Sequence, residues 1–229
     1  MSDVSRETSG VQPELDALVL PAMPTVAAMV FGDRLALAEE FTRLLATEGV
    51  TRGLIGPREA PRLWERHVLN CAALTDAFAM GATVADIGSG AGLPGIVLAL
   101  RRPDLKVTLI EPLLRRTTFL SEVVEHLGLD NVEVVRARAE EVHGTRTFDA
   151  VTSRAVAALD KLARWSLPLV RPGDDMVAMK GSSAPEELAR HKESVHRLGG
   201  RSFVVERYGE DWLDQPTTVI RVSTGSKGV

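Results

Sequence analysis

The spacing of hydrophobic and polar positions changes once along the chain, near Gly81. Before it, residues 25–80 place apolar side chains every three or four positions, which is typical of amphipathic helices. After it, short aliphatic runs alternate with longer helical patterns, as in an α/β protein. The sequence therefore predicts a helical N-terminal extension at 25–80 and a larger domain at 81–229. Residues 1–24, which contain Ser, Thr, Gly and several prolines, are expected to form a flexible tail.

The extension is predicted to hold two helical stretches, one at 25–48 with a break near Gly32 and Asp33, and one from Pro57 to about Met80. In the larger domain we predict strands at 83–87, 106–111, 132–135, 148–153, 175–180, 202–208 and 217–222. We predict helices between them at 94–100, 113–127, 159–169 and 186–198. Alternating strands and helices build a parallel sheet with right-handed crossovers. The last two strands are joined by a short loop, so they must pair antiparallel at the edge of the sheet.

Composition excludes several classes of protein. The single cysteine, Cys71, allows no intrachain disulfide. Its apolar helical surroundings favour a buried side chain that only packs in the core over a catalytic thiol. No apolar run is long enough to span a membrane, and the N-terminus is unlike a signal peptide, so we expect a cytoplasmic protein without a membrane partner. The net charge of −4 argues against indiscriminate nucleic-acid binding but permits a local basic face.

A glycine-rich turn follows the first predicted strand at residues 86–95, with the sequence DIGSGAGLPG. Its glycines match both a methyltransferase turn and the dinucleotide pattern G-x-G-x-x-G. The two patterns have the same physical basis, because glycines let the backbone approach a ligand at the start of a helix. Glu111, which ends the next strand, is placed to bind ribose hydroxyls in either case.

Asp86 separates the two interpretations. A carboxylate two positions before the glycines would repel a pyrophosphate, but it suits the ammonium group of S-adenosylmethionine; the alternative is that Asp86 only caps the turn. The terminal antiparallel pair also matches the methyltransferase sheet. We therefore predict a Rossmann-like class I methyltransferase with a seven-stranded sheet of order 3-2-1-4-5-7-6 and with S-adenosylmethionine as cofactor. The residues expected to hold this donor are Asp86, Gly88, Ser89, Gly90, Gly92 and Glu111.

Basic residues follow three of the predicted strands. Arg138, Arg154 and Lys180 come after the third, fourth and fifth strands, whose carboxyl ends form the ligand cleft of such sheets. They are interpreted either as a polyanion-binding cluster at one mouth or as separate surface charges. Further arginines that would extend such a cluster are Arg58, Arg62, Arg66, Arg101, Arg102, Arg115 and Arg116. The five histidines lack metal-ligand spacing, so no metal is expected.

Several motifs occur together: the glycine turn, Arg66-His67, Arg138-Ala139-Glu140-Glu141, Ser153-Arg154-Ala155 and Met179-Lys180-Gly181. Over residues 26–223 they resemble the small-subunit ribosomal RNA N7-guanine methyltransferase family, called RsmG or GidB. The resemblance implies methylation of guanine N7 in the decoding region of bacterial 16S rRNA. It implies that the partner is 16S rRNA, the 30S subunit or an assembly intermediate. It implies donor contacts at Gly88, Leu93, Ala139, Glu140 and Arg154.

The RNA side is expected to include Arg66, His67, Arg138, Arg154 and Lys180. The chain departs from the family pattern at residues 53–56 and at Asn70 and Cys71, segments expected to shape that side. Guanine N7 carries an exposed lone pair and needs no deprotonation, so we expect no general base. Arg154 and Lys180 would instead orient the substrate.

Three alternatives stay open at this point. A small-molecule methyltransferase of the same fold would need a closed apolar pocket instead of a basic mouth. A ribosome assembly factor would keep the donor site without turnover. A nicotinamide dehydrogenase would use the glycine turn for NAD. Nothing in the sequence requires a dimer, so a monomer is expected.

Overall fold

The computed structural model describes residues 22–154 and 156–226. The tail predicted at 1–24 lies, up to residue 21, outside the described residues, as does Ala155. In the extension, the regular helices are α1 (Val26–Phe31), α2 (Leu35–Leu44) and α3 (Leu69–Ala73). Tighter or wider helical turns connect them at Gly32–Arg34, Leu45–Gly49, Pro57–Arg62, Leu63–Val68 and Leu74–Ala77.

The predicted break near Gly32 is confirmed, because Gly32 has a φ of +49° between two helical segments. The second stretch ends earlier than predicted. Phe78 is in the extended region, with φ −113° and ψ 138°, and Met80 is exposed. Pro61 lies inside the tight turn at Pro57–Arg62. Regular α-helix begins only at Leu69, so most of the stretch predicted from Pro57 is built of tighter or wider helical turns.

The larger domain contains seven strands: β1 (Thr83–Ile87), β2 (Lys106–Ile110), β3 (Val132–Val135), β4 (Phe148–Arg154), β5 (Val170–Lys180), β6 (Gly200–Tyr208) and β7 (Thr217–Thr224). Its helices are α4 (Gly95–Arg101), α5 (Leu114–Leu127), α6 (Ala139–Val142), α7 (Leu159–Ser166) and α8 (Ala184–Arg197). The strand order is β3-β2-β1-β4-β5-β7-β6, as predicted. Strands β1 to β5 pair parallel, and β7 pairs antiparallel with both β5 and β6.

Three elements of this domain differ from the prediction by more than the two residues by which other boundaries shift. β5 begins at Val170, which pairs with Phe148 before the register shifts at Ala150. The helix predicted at 159–169 ends as a regular helix at Ser166, and a tight turn containing Pro168 follows. α6 was not predicted, because four residues are too few to show a helical period.

The core lies on both faces of the sheet. Alternate residues of β1 point to opposite faces: Val84 belongs to one hydrophobic cluster, and Ala85 and Ile87 to the other. The first cluster joins the sheet to α4, α5 and the extension, which contributes buried side chains such as Phe41 and Trp64. The second cluster joins the sheet to α7 and α8. The extension is therefore packed into the same core as one face of the sheet.

The terminal hairpin is tied to the rest of the molecule by Arg221 of β7. Its guanidinium pairs with Asp175 of β5 at 2.7 Å and with Glu206 of β6 at 2.9 Å, and it donates to the carbonyl of Ala77 at 3.2 Å. Thr217 adds a hydrogen bond to the carbonyl of Asn70. β7 thus connects the sheet with the end of the extension. No helix in the described ranges is long and apolar enough to cross a membrane.

Candidate functional site

A cleft of about 700 Å³ opens at the carboxyl ends of β1, β2 and β4. The glycine turn after β1 forms its floor, the segment after β2 and the start of α6 form one side, and the end of β4 forms the other. Of the residues predicted to bind the donor or RNA, those that line the cleft are Gly88, Ser89, Gly90, Leu93, Glu111, Arg138, Ala139, Glu140, Arg154 and His67.

The glycine turn has a backbone that other residues rarely adopt. Gly88, Gly90 and Gly92 have φ values of +67°, +58° and +91°. At Gly92 a Cβ atom would also lie 2.5 Å from Cγ1 of Ile96, so a side chain is excluded twice. The amide of Gly88 donates to the carbonyl of Ile110 at 2.8 Å, which fixes the turn against β2. The result is an open backbone cradle at the floor of the cleft.

Glu111 connects this cradle to the segment after β2. Its side chain is almost fully buried, and its two oxygens accept the amide protons of Gly90 and Leu113, each at 3.1 Å. Arg116 lies 3.4 Å from the same carboxylate. A carboxyl group is therefore held at the wall of the cleft, at the place predicted for ribose binding.

Asp86 lies under the turn and does not line the cleft. It is 0% exposed, and its Oδ2 accepts the amide proton of Gly95 at the start of α4, at 3.0 Å. Its Oδ1 is buried and has no hydrogen-bond partner among the described residues. Burial raises the pKa of Asp86 to about 7, although the bond from Gly95 opposes this shift. One oxygen thus caps the turn, and the other remains a buried acceptor.

The raised pKa of Asp86 predicts how stability depends on pH. The usual pKa of an unfolded aspartate is about 3.9. Between that value and about 7, the folded protein binds a proton that the unfolded chain releases, so stability falls as pH rises through this window. From pH 6 to pH 8.5 we expect the free energy of unfolding to fall by about 1.4 kcal/mol through this group, as measured by urea denaturation.

Asp86→Asn is the matched variant, because asparagine resembles the neutral acid and does not titrate. Its free energy of unfolding should change less than the wild-type value over the same pH range. Equal pH dependence in the two proteins would show that Asp86 is not the group responsible.

Arg154, the last residue of β4, joins the cleft to the extension. Its Nη2 atom donates to Nδ1 of His67 and, at 3.4 Å, to the carbonyl of Arg66. Its Nη1 atom lies 3.5 Å from Sγ of Cys71. Cys71 is fully buried, and burial raises the pKa of its thiol, which agrees with a side chain that packs in the core and not with a catalytic thiol. Contacts with the extension therefore hold the guanidinium of Arg154 in place at the cleft.

His67 is held between two partners. Its Nε2 atom lies 2.9 Å from Oε2 of Glu59, and its side chain is only 13% exposed. Burial and the nearby charge of Arg154 lower the pKa of His67, although Glu59 opposes the shift. His67 is thus neutral at pH 7 and engaged at both ring nitrogens.

The predicted cluster of three cations at the mouth does not form. Lys180 lies away from the cleft with its side chain 10% exposed, and its ammonium contacts the carbonyl of Ala157 and the carboxylate of Glu187, each at 2.9 Å. This corrects the prediction that Lys180 projects into the mouth. Lys180 does lie at a strand end, but its ammonium group forms an ion pair with Glu187 on α8 instead. Arg66 is exposed and pairs with Glu59 at 3.3 Å.

Other lining residues were not predicted. Leu113 and Val156 are large apolar side chains exposed at the cleft, and Trp165 reaches it from α7. Leu113 could have been predicted from the sequence, because it is an apolar residue two positions after Glu111. Trp165 lies inside a helix, and nothing in the sequence indicates that it reaches the cleft. Leu54 and Ile55, from the segment that departs from the family pattern, also line the cleft.

Comparisons with known proteins agree on one family. The family model described as rRNA small subunit methyltransferase G matches residues 34–213. The chain is 56% identical over 227 residues to ribosomal RNA small subunit methyltransferase G of Nocardioides sp., covering 99% of this chain and 86% of the relative. It is 58% identical over 215 residues to the protein of the same name in Salinispora arenicola, covering 91% and 89%.

Solved structures share the fold at low identity. A methyltransferase from Pyrococcus furiosus has a TM-score of 0.53 and 17% identity, covering 69% of this chain and 83% of that one. TYW2 of M. jannaschii, solved in complex with AdoMet, has a TM-score of 0.54 and 16% identity, covering 72% and 78%. These neighbours show the Rossmann-like methyltransferase fold.

Proposed function

Because this chain belongs to the rRNA small subunit methyltransferase G family, we propose that it transfers a methyl group from S-adenosylmethionine to N7 of a guanine in the decoding region of bacterial 16S rRNA. The observation that carries the proposal is the cleft itself, where a glycine cradle lies beside the arginine that ends β4. The acceptor is 16S rRNA, free or within the 30S subunit or an assembly intermediate.

The chemistry of the cleft suits this donor. The positive-φ turn offers backbone to a bulky ligand, the carboxyl of Glu111 lies at the wall where ribose hydroxyls are expected, and Ala139 and Glu140 border the side where the adenine is expected. Among the residues that the structure describes, one buried oxygen of Asp86 has no partner beneath the turn, which favours a cationic ligand over a pyrophosphate. Bound S-adenosylmethionine would supply a methyl group already activated on a sulfonium.

The cleft also presents cations to an RNA acceptor. Arg138 is exposed at the start of α6, and Arg116 and Arg154 lie on either side of the glycine cradle. Phosphate oxygens of RNA are bound by such side chains, while the target base must be accessible or splayed, because N7 of paired RNA lies in a deep groove. The apolar side chains of Leu113 and Val156 offer a surface for an unstacked base.

The target atom fits the available side chains. Guanine N7 attacks through its lone pair, so the protein must position the base and screen charge, not remove a proton. His67 is a poor general base, because Nδ1 accepts from Arg154 and Nε2 contacts Glu59. Glu111 is likewise occupied by two amide protons.

The proposal is tested by incubating the protein with methyl-labelled S-adenosylmethionine and one of three acceptors: 30S subunits, naked 16S rRNA, or a pool of small metabolites. We expect label in RNA, and chemical cleavage specific for N7-methylguanine should locate it in the decoding region. Label only in metabolites would favour a small-molecule methyltransferase. Donor binding without transfer would favour an assembly factor, and binding of NAD in place of the donor would favour a dehydrogenase.

Two exposed arginines provide a matched pair for the RNA contact. Arg138 lines the cleft, whereas Arg197 lies on α8 and pairs with Glu193 at 2.9 Å. Arg138→Ala should weaken RNA binding and reduce the slope of log affinity against log salt by about 1. Arg197→Ala should leave both unchanged. Equal behaviour of the two variants would remove Arg138 from the RNA surface.

A further inference from the structure

We propose that His67, in the neutral form whose Nε2 proton points at Glu59, positions Arg154 for methyl transfer, so that protonation of His67 disables Arg154. The inference rests on the proposed function and deepens it. His67 then acts as a positioning residue, and not as the RNA contact that its sequence position suggested.

The direction of the hydrogen bonds fixes the state of the imidazole. A guanidinium has donors and no acceptor, so Nδ1 of His67 must be the unprotonated nitrogen that accepts from Arg154. In a neutral imidazole the proton is then on Nε2, which lies 2.9 Å from Oε2 of Glu59 and donates to it. The three side chains therefore form a chain of hydrogen bonds with one direction: Arg154 donates to His67, and His67 donates to Glu59.

Protonation of His67 breaks this chain. An imidazolium carries a proton on Nδ1, so it would face Arg154 with a donor against a donor and a positive charge against a positive charge. The charged groups that face His67 are Glu59 and Arg66 from its own segment and Arg154 from β4. Burial and the two arginines oppose the charged form, and Glu59 favours it. Because the pKa of His67 is lowered, the switch occurs on the acid side of its usual value of about 6.5.

The consequence reaches the cleft because Arg154 lines it. The neighbouring contacts of the guanidinium are weaker, because the bond to the carbonyl of Arg66 is long at 3.4 Å and Sγ of Cys71, at 3.5 Å, is a weak acceptor. The bond to His67 is therefore the main constraint on where the guanidinium points. Losing it frees a charged side chain next to the glycine cradle, where a displacement of the guanidinium changes how the acceptor is oriented.

Two substitutions of His67 distinguish the role of Nδ1 from the role of Nε2. Asparagine places an oxygen near the position of Nδ1, so His67→Asn keeps an acceptor for Arg154 and does not titrate. Glutamine reaches toward the position of Nε2, so His67→Gln keeps the contact with Glu59 and loses the acceptor. The wild-type methylation rate should fall about tenfold per pH unit below the pKa of His67. His67→Asn should lack this acid limb, and His67→Gln should be about tenfold slower at every pH. A persisting acid limb in His67→Asn would overturn the proposal.

An NMR titration of the wild-type protein tests the same inference without RNA or turnover. His67 should show the Nε2–H tautomer and a pKa below about 6.5, and that pKa should rise in Arg154→Ala, where the nearby positive charge is gone. Glu59→Gln should lower the pKa further, since it removes the charge that favours the imidazolium. A His67 resonance that titrates normally and ignores both substitutions would contradict the proposal. If no RNA is methylated under any condition, the proposed function fails while this titration still decides the geometry.

Discussion

Replacing Arg154 with alanine is expected to slow methyl transfer to RNA by about a hundredfold or more, the usual effect of removing one preorganised hydrogen-bond donor from an active site. Arg154 is the charged end of β4 at the cleft, and its loss also leaves Nδ1 of His67 without a donor. The single-turnover rate with saturating donor and RNA measures the effect directly. Affinity for S-adenosylmethionine is measured separately by calorimetry.

Arg154→Lys is the informative companion. Lysine keeps the positive charge but lacks the planar fork that reaches His67 and Cys71 at the same time. We expect an intermediate rate, below wild type and above Arg154→Ala. If Arg154→Ala methylates RNA at the wild-type rate, Arg154 has no part in transfer, and the inference about His67 fails with it.

Gly95→Ala is expected to destabilise the protein by about 1–3 kcal/mol, the range for overpacking a filled core. Helix propensity alone predicts the opposite sign, because alanine is favoured over glycine inside a helix by about 1 kcal/mol. The structure decides between them. A Cβ at Gly95 would lie 2.2 Å from Cδ2 of Leu109, which is fully buried in β2, and 2.8 Å from Oδ2 of Asp86.

The added methyl group also displaces Asp86 from the amide of Gly95, so binding of S-adenosylmethionine should weaken together with stability. Urea denaturation and calorimetry measure the two effects. Gly181→Ala is the control, because a Cβ there meets no atom of the described residues within 4 Å and its φ is not in the left-handed region. Gly181→Ala should leave both quantities unchanged. A Gly95→Ala protein as stable as wild type would mean that β2 and α4 separate more easily than the structure indicates.

The sequence predicted the sheet well because its signals are local. Each parallel strand is a short apolar run bounded by turn residues, and the antiparallel pairing of β6 and β7 follows from the missing helix between them, whereas their order beside β5 came from the match to the methyltransferase sheet. The glycine turn was equally readable, since Gly88, Gly90 and Gly92 occupy conformations that glycine adopts without strain. The cleft at its predicted place follows from this topology.

The partners of charged side chains could not be predicted in the same way. Lys180 and Arg154 occupy equivalent strand ends, yet one pairs with Glu187 on α8 and the other with His67 from the extension. These contacts join residues of separate elements, and periodicity carries no information about which side chains meet across a packed interface. Asp86 shows a related limit: its position before the turn was clear, but its full burial was not.

The position of β7 has a consequence for how the chain is made. The last strand of the described residues is not at the edge of the sheet but between β5 and β6, and Ile220 and Val222 are fully buried there. Until those residues leave the ribosomal tunnel, β5 lacks its neighbour and Asp175 lacks Arg221. The sheet can therefore be completed only after β7 has emerged, and a nonsense codon before Thr217 would leave the edge of β5 unpaired and Asp175 without Arg221.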